Sequence, residues 1–169
     1  MKKNRFAGRC LTFFLLIGLS SGLMVSCTEK SEDIVKNKTI TEVIIENDNF
    51  SILEEIMLNA EMSDALRAGE ITFFAPDNEA FGKANIFSSS VITSRGADSA
   101  RIFLQNHIVP KERLAYEFIQ TGKKKTLTGK EIEFTKVDSV VNVNKSEIVI
   151  PDLSAANGVI HVIDSLIVR

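Results

Sequence analysis

The sequence predicts an α+β domain, helices first and strands afterwards, on three observations. Before residue 70, apolar residues recur at helical spacing behind hydroxyl and carboxylate caps. At residues 71–75 the period gives way to a continuous apolar run closed by Pro76. Beyond Gly122 the chain becomes rich in Val and Ile and is punctuated by turn residues.

The elements follow in order. Thr39-Ile40-Thr41-Glu42 has the form of a capping box, with Ile40, Val43 and Ile44 behind it at helical spacing. Asn47-Asp48-Asn49 ends that helix. A second begins near Phe50, where Ser51 and Glu54 are spaced as another box, and its stripe is Phe50, Leu53, Met57 and Ala60, flanked by Ile56. A third, over residues 63–68, stops at Gly69, the residue best suited to a left-handed C-cap. Residues 71–75 read as a buried strand, and Asp77 is placed to cap a brief helix through Phe81. Asp98 or Ser99 caps the next helix, which carries Ala100, Phe103, Leu104 and Ile108 and runs to Pro110. Residues 114–119 suggest one more helical turn, and Lys123-Lys124-Lys125 reads as a solvated turn. Strands are expected at 130–136, 140–144, 147–150 and 158–168. No internal repeat and no room for a second domain are evident.

The first 26 residues differ from the rest. They hold four basic residues, no acid, and the apolar run Leu11-Thr12-Phe13-Phe14-Leu15-Leu16-Ile17-Gly18-Leu19, interrupted by Ser20-Ser21-Gly22. A basic start, a short apolar middle and small residues at the end are the parts of a secretory signal, and the run is too short for a transmembrane span. Leu23-Met24-Val25-Ser26-Cys27 resembles the bacterial lipobox. That resemblance implies cleavage before Cys27 and acylation of its thiol, with an ordinary signal and a stray cysteine as the alternative. Residues 27–38 are polar and read as a tether about 18 Å in typical reach.

Removing the signal leaves 143 of the 169 residues, with 16 basic against 22 acidic side chains and a net charge of −6. Such a balance argues against nucleic acid or bare anionic lipid as a partner, so membrane contact is expected through the acyl chains on Cys27. Cys10 leaves with the signal, so no disulfide is available and the core alone must hold the domain.

Two segments are similar to the signatures of the fasciclin-like domain family. Thr72-Phe73-Phe74-Ala75-Pro76-Asp77-Asn78-Glu79-Ala80-Phe81 resembles the first, with Asp77 where Thr is usual; Asn157-Gly158-Val159-Ile160-His161-Val162-Ile163-Asp164-Ser165-Leu166 resembles the second. Between them, Phe103-Leu104-Gln105-Asn106-His107-Ile108-Val109 is similar to the family's Tyr-His segment, with Asn106 in place of Tyr, and Thr126-Leu127-Thr128-Gly129 matches a following turn. The resemblance spans residues 39–169. It implies a β-wedge of mixed strands flanked by several short helices, and a role in adhesion at cell surfaces or in matrices.

Most signature residues, Thr72, Phe73, Ala75, Pro76, Asn78, Phe81, Asn157, Gly158, His161 and Asp164, read as architecture; Phe73, Phe81, Val159, Ile160 and Val162 are core candidates. His161 reads as a hydrogen-bonded strand histidine. His107 lies near a helix end, where a cation is favoured by the dipole, and is a candidate for partner contact. Pro151-Asp152-Leu153 resembles a Pro-Asp-Ile step that adhesion proteins of the family carry before the second box, which makes Asp152 and Leu153 candidates for partner binding. The competing reading is that Asp152 bonds local backbone amides in a turn.

No zincin, nucleophile-elbow, P-loop or calcium-loop motif occurs, so no catalytic residue, cofactor or metal is expected. The leading expectation is a non-catalytic binding or adhesion module, lipid-anchored to the bacterial outer membrane, contacting an envelope or extracellular protein or polymer. A glycan- or small-ligand-binding lipoprotein and a purely structural envelope protein are the alternatives. An exposed Tyr116 beside an open pocket would favour the glycan reading; a histidine between a nucleophile and an acid would favour an enzyme.

Overall fold

The computed structural model describes residues 37–67 and 69–167. Cys27, the signal and most of the tether lie outside the described residues.

The first helix, α1 (Ile40–Ile45), starts at the expected capping box: Thr39 Oγ1 accepts from Glu42 N, and Thr39 N donates to the Glu42 carboxylate at 2.7 Å. A 3₁₀ turn (Asp48–Phe50), capped by Asn47, leads into α2 (Ser51–Asn59). The second box does not form, because helical geometry has already begun at Ser51, and α2 has no side-chain cap. Its stripe is as expected: Phe50, Leu53, Ile56, Met57 and Ala60 are all buried. The third helix is a 3₁₀ turn (Ala65–Arg67), with Gly69 left-handed at φ 82°.

Strand β1 (Ile71–Pro76) is buried at every position, and Asp77 caps α3 (Asn78–Lys83) through Ala80 N at 2.8 Å. A short helix that the sequence does not announce, α4 (Ser90–Thr93), precedes α5 (Ala97–Gln105). Gly96, at φ 94°, precedes α5 with no side-chain cap; Asp98 lies in the first turn and pairs with Arg101 at 2.8 Å. The helix stops before His107, and residues 108–110 form strand β2 (Ile108–Pro110), paired with β1, because an apolar run this short suits either element.

After a 3₁₀ turn (Tyr116–Phe118) come β3 (Gly122–Lys125), β4 (Glu131–Val137), β5 (Val140–Val143), β6 (Ser146–Ala155) and β7 (Gly158–Ile163). The lysine run is therefore a strand, not a turn, and β6 continues through Pro151 and Asp152 to Ala155. Seven strands make one mixed sheet in the order β2-β1-β7-β6-β5-β4-β3. Only β1 and β7 run parallel, Phe73 beside Ile160 and Ala75 beside Val162.

These two central strands are buried on both faces, and alternation sorts their side chains between two cores. Phe73, Ala75, Ile160 and Val162 face the helices; Phe74 and Ile163 face a second cluster with Phe134, Val141 and Val143. Leu127 N donates to Ile108 O at 2.9 Å, tying the β3–β4 connection back to β2 at the opposite edge of the sheet.

Candidate functional site

The signature polar residues lock separate segments together. Asn78 Oδ1 accepts from Ile52 N at 3.2 Å while its Nδ2 donates to Asp48 O at 2.9 Å, joining α3 to the start of α2. Asn157 Oδ1 accepts from Ile40 N at 3.0 Å and its Nδ2 donates to Leu66 O, so one amide holds both α1 and the second 3₁₀ turn. Thr72 Oγ1 donates to Glu112 O at 2.8 Å and accepts from Leu114 N at 2.9 Å. Asp164 Oδ1 accepts from Glu147 N at 2.8 Å and its Oδ2 pairs with Lys83 at 2.9 Å. Burial pushes its carboxyl upward, but the Lys83 ammonium, the Glu147 N–H and the Ser165 hydroxyl outweigh this and hold it below the usual range.

Both histidines are buried, and their partners dictate opposite tautomers. His107 Nδ1–H donates to Phe103 O at 2.8 Å, and its Nε2 accepts from Ile167 N at 3.0 Å. Burial lowers its pKa to about 4 despite the Phe103 carbonyl, so the cation expected at the helix end is instead a neutral ring with no surface open to a partner. His161 Nε2–H donates to Leu114 O at 2.6 Å, and its Nδ1 accepts from Asp152 N at 3.2 Å. Burial lowers its pKa too, opposed by the Leu114 carbonyl and the Asp152 charge. Each ring nitrogen is spent on backbone, so neither imidazole sits between a nucleophile and an acid.

Asp152 is exposed, at φ 57° in an irregular stretch of β6 where the pairing register with β7 shifts. Its Oδ1 accepts from Tyr116 N at 3.0 Å. The bond is thus to a distant amide across the fold, not a local turn, and Oδ2 is open. Leu153 is half-buried against the helix-side core and offers less surface than Asp152.

Tyr116 is a hub. Its hydroxyl donates to Ser139 O at 2.6 Å and accepts from Val141 N at 3.2 Å, so the group that would recommend a sugar site is committed to the β4–β5 hairpin. These bonds knit three segments into one face: the β6 irregularity, the turn at Tyr116–Phe118 and the hairpin tip. On these segments Phe118 (71%) and Val137 (65%) are exposed, whereas Ile150 borders a separate depression with Asn78, Lys83 and Asp164. Asp152 is legible in the sequence; Phe118 and Val137 are missed, although Val137 and Val140 flank Asp138-Ser139 as a hairpin tip would. Among the described residues no cluster of His, Cys, Asp and Glu is arranged to hold a metal.

Comparison with known proteins gives this geometry a family. The fasciclin-domain model matches residues 48–169. The chain belongs to the fasciclin-domain family. Protein sll1483 of Synechocystis sp. is 33% identical to this fasciclin domain protein over 174 residues, covering 95% of this chain and 96% of that one. The transforming growth factor-beta-induced protein ig-h3 of Sus scrofa is 28% identical over 130 residues, covering 76% of this chain but 19% of that protein. A solved FAS1 domain pair from the insect cell adhesion molecule Fasciclin I superposes with a TM-score of 0.65 at 16% identity, over 80% of this chain and 52% of that chain, which shows the shared fold. Fasciclin domains thus occur in cell-adhesion proteins, and no catalytic family is indicated.

Proposed function

We propose that this protein is a non-catalytic binding or adhesion module of the bacterial envelope, tethered through acylated Cys27 to the outer membrane. The observation that carries the binding reading is the pair of exposed apolar residues Phe118 and Val137 on the segments that Tyr116 joins to the half-open carboxylate of Asp152. Large exposed apolar groups on a hydrogen-bonded, rigid frame are what a protein partner buries, and an open carboxylate oxygen adds a charged contact for a partner's cation. The adhesion context of relatives supports the same reading.

Two measurements test the two halves. Intact cells carrying the native chain or Cys27→Ala are treated with external protease and fractionated. The expected result is native protein in the membrane fraction and clipped from outside, with Cys27→Ala released as soluble protein. Equal membrane retention of both forms overturns the lipid anchor, and a protected native domain removes external adhesion. For the binding half, cells displaying the chain are tested for retention on envelope material of neighbouring cells. Phe118→Ser combined with Val137→Ser is expected to lower retention severalfold, and unchanged retention refutes this face as the contact.

A further inference from the structure

On another side of the domain, α4, α5 and the segment after β7 enclose an open groove of about 430 Å3. That volume lies within the roughly 300–1,000 Å3 of small-molecule sites. Its wall is formed by Ile86, Val91, Ile92, Ile102, Phe103 and Leu166. Val91 and Ile102 are 52% and 51% exposed, so the wall is in contact with water. A second basin of about 270 Å3, toward Thr126 and Ile132, shares Asn106, Lys130 and Ile167 with the first.

The polar lining of the larger basin is Arg95, Ser99, Asn106 and Lys130, two of them cations. Arg95 and Lys130 line the groove, and among the described residues neither side chain makes an ion pair or hydrogen bond, whereas Lys83, Lys123 and Lys124 each have a carboxylate. Glu131 borders the smaller basin but pairs with Lys123 at 3.6 Å. Asn106 Oδ1 accepts from Thr128 Oγ1 at 2.7 Å, which leaves Nδ2 as the free end of that amide. Asn106 also stands where the family motif has Tyr, and it lines both basins.

We propose that this groove binds a free fatty acid, its acyl chain on the apolar wall and its carboxylate held by Lys130 and Asn106, with Arg95 as a second cation. An apolar trough flanked by two cations favours an anionic amphiphile over a neutral or cationic one, because its charge meets opposite charge that no carboxylate of the described residues already pairs. The proposal is independent of the adhesion face, which lies on other segments.

The full chain in phosphatidylcholine nanodiscs is titrated with decanoate, decanol and decylamine, with empty nanodiscs as the blank, and the thermal midpoint is followed by circular dichroism. Decanoate is expected to raise the midpoint saturably, and decanol and decylamine are not. Lys130→Glu weakens the apparent decanoate affinity about tenfold, the loss of one charge-assisted contact. Asn106→Tyr fills the groove and abolishes saturation. If that variant does not fold, Ile102→Gln, a change at a half-exposed position, makes the same test of the wall. Equal stabilisation by decanol, saturable decanoate binding that survives the groove-filling variant, or no saturation at all overturns the proposal.

Discussion

At Gly158 the space for a side chain is already taken. A Cβ there would lie 2.1 Å from Ile71 O and 2.9 Å from Ile40 Cδ1, since β1 and α1 both close on this point. Gly158→Ala therefore forces apart the parallel pair at the centre of the sheet and is expected to cost about 3 kcal/mol. Urea unfolding measures it, and a loss below about 0.5 kcal/mol would show that the strands yield easily. His107 makes a different prediction. Its imidazole binds a proton near pH 6.5 when unfolded but only near 4 in the native state, so the unfolded chain holds more protons between these values. Its contribution is complete above pH 6.5 and is lost as pH falls toward 4, by about 3 kcal/mol in total. His107→Gln keeps a donor and an acceptor without titrating, and should flatten the pH dependence of the urea midpoint; an unchanged slope refutes the assignment. The sequence marks both residues through their motifs. It does not reveal that one is excluded by a carbonyl and the other neutralised by burial, because those facts depend on what the fold brings to them.

Strand β3 makes the element-scale case. It pairs only with β4, and although Leu127 bonds Ile108 just beyond its end, no backbone bond from residues 122–125 reaches β2 among the described residues, so its outer backbone groups are a template for another chain. Three consecutive lysines discourage such pairing by charge and desolvation cost. Lys123→Val with Lys125→Val should leave the fold intact and produce concentration-dependent association, read by light scattering; a monomer at all concentrations would assign the lysines another role. Read as sequence, the run is a turn, because charge dominates the local pattern and an edge strand has no buried face to set a period of two. The same limit explains residues 108–110, which alone do not tell helix from strand. The helices behind Thr39 and Asp77 were legible because their caps are local chemistry.

Across the molecule, the α+β class and the central strands follow from the two signature boxes, while the second core is not visible in any single segment. It is assembled from Phe74 and Ile163 on the central strands, whose neighbours are buried too, and from Phe134, Val141 and Val143, which alternate with more exposed neighbours on β4 and β5. The candidate site divides the same way: Asp152 was legible from a short motif, whereas the face around it is drawn from three separated segments joined by Tyr116. That junction predicts that Tyr116→Phe, which removes the bonds to Ser139 and Val141 but keeps the ring, loosens the face before the core. Faster amide exchange at residues 137–141, with a global stability loss of only about 1 kcal/mol, is the expected reading, and uniform exchange would show the hub to be redundant.

The parallel pairing of β1 with β7 also sets a schedule. Synthesis proceeds from the amino end, so β1 exists long before its central neighbour, which is supplied by residues 158–163. Until those residues leave the ribosome, β1 has only the three-residue β2 beside it and one flank of the sheet stays unpaired. The centre of the sheet therefore closes only when two segments more than eighty residues apart meet, which makes that long-range pairing the late and slow step of folding.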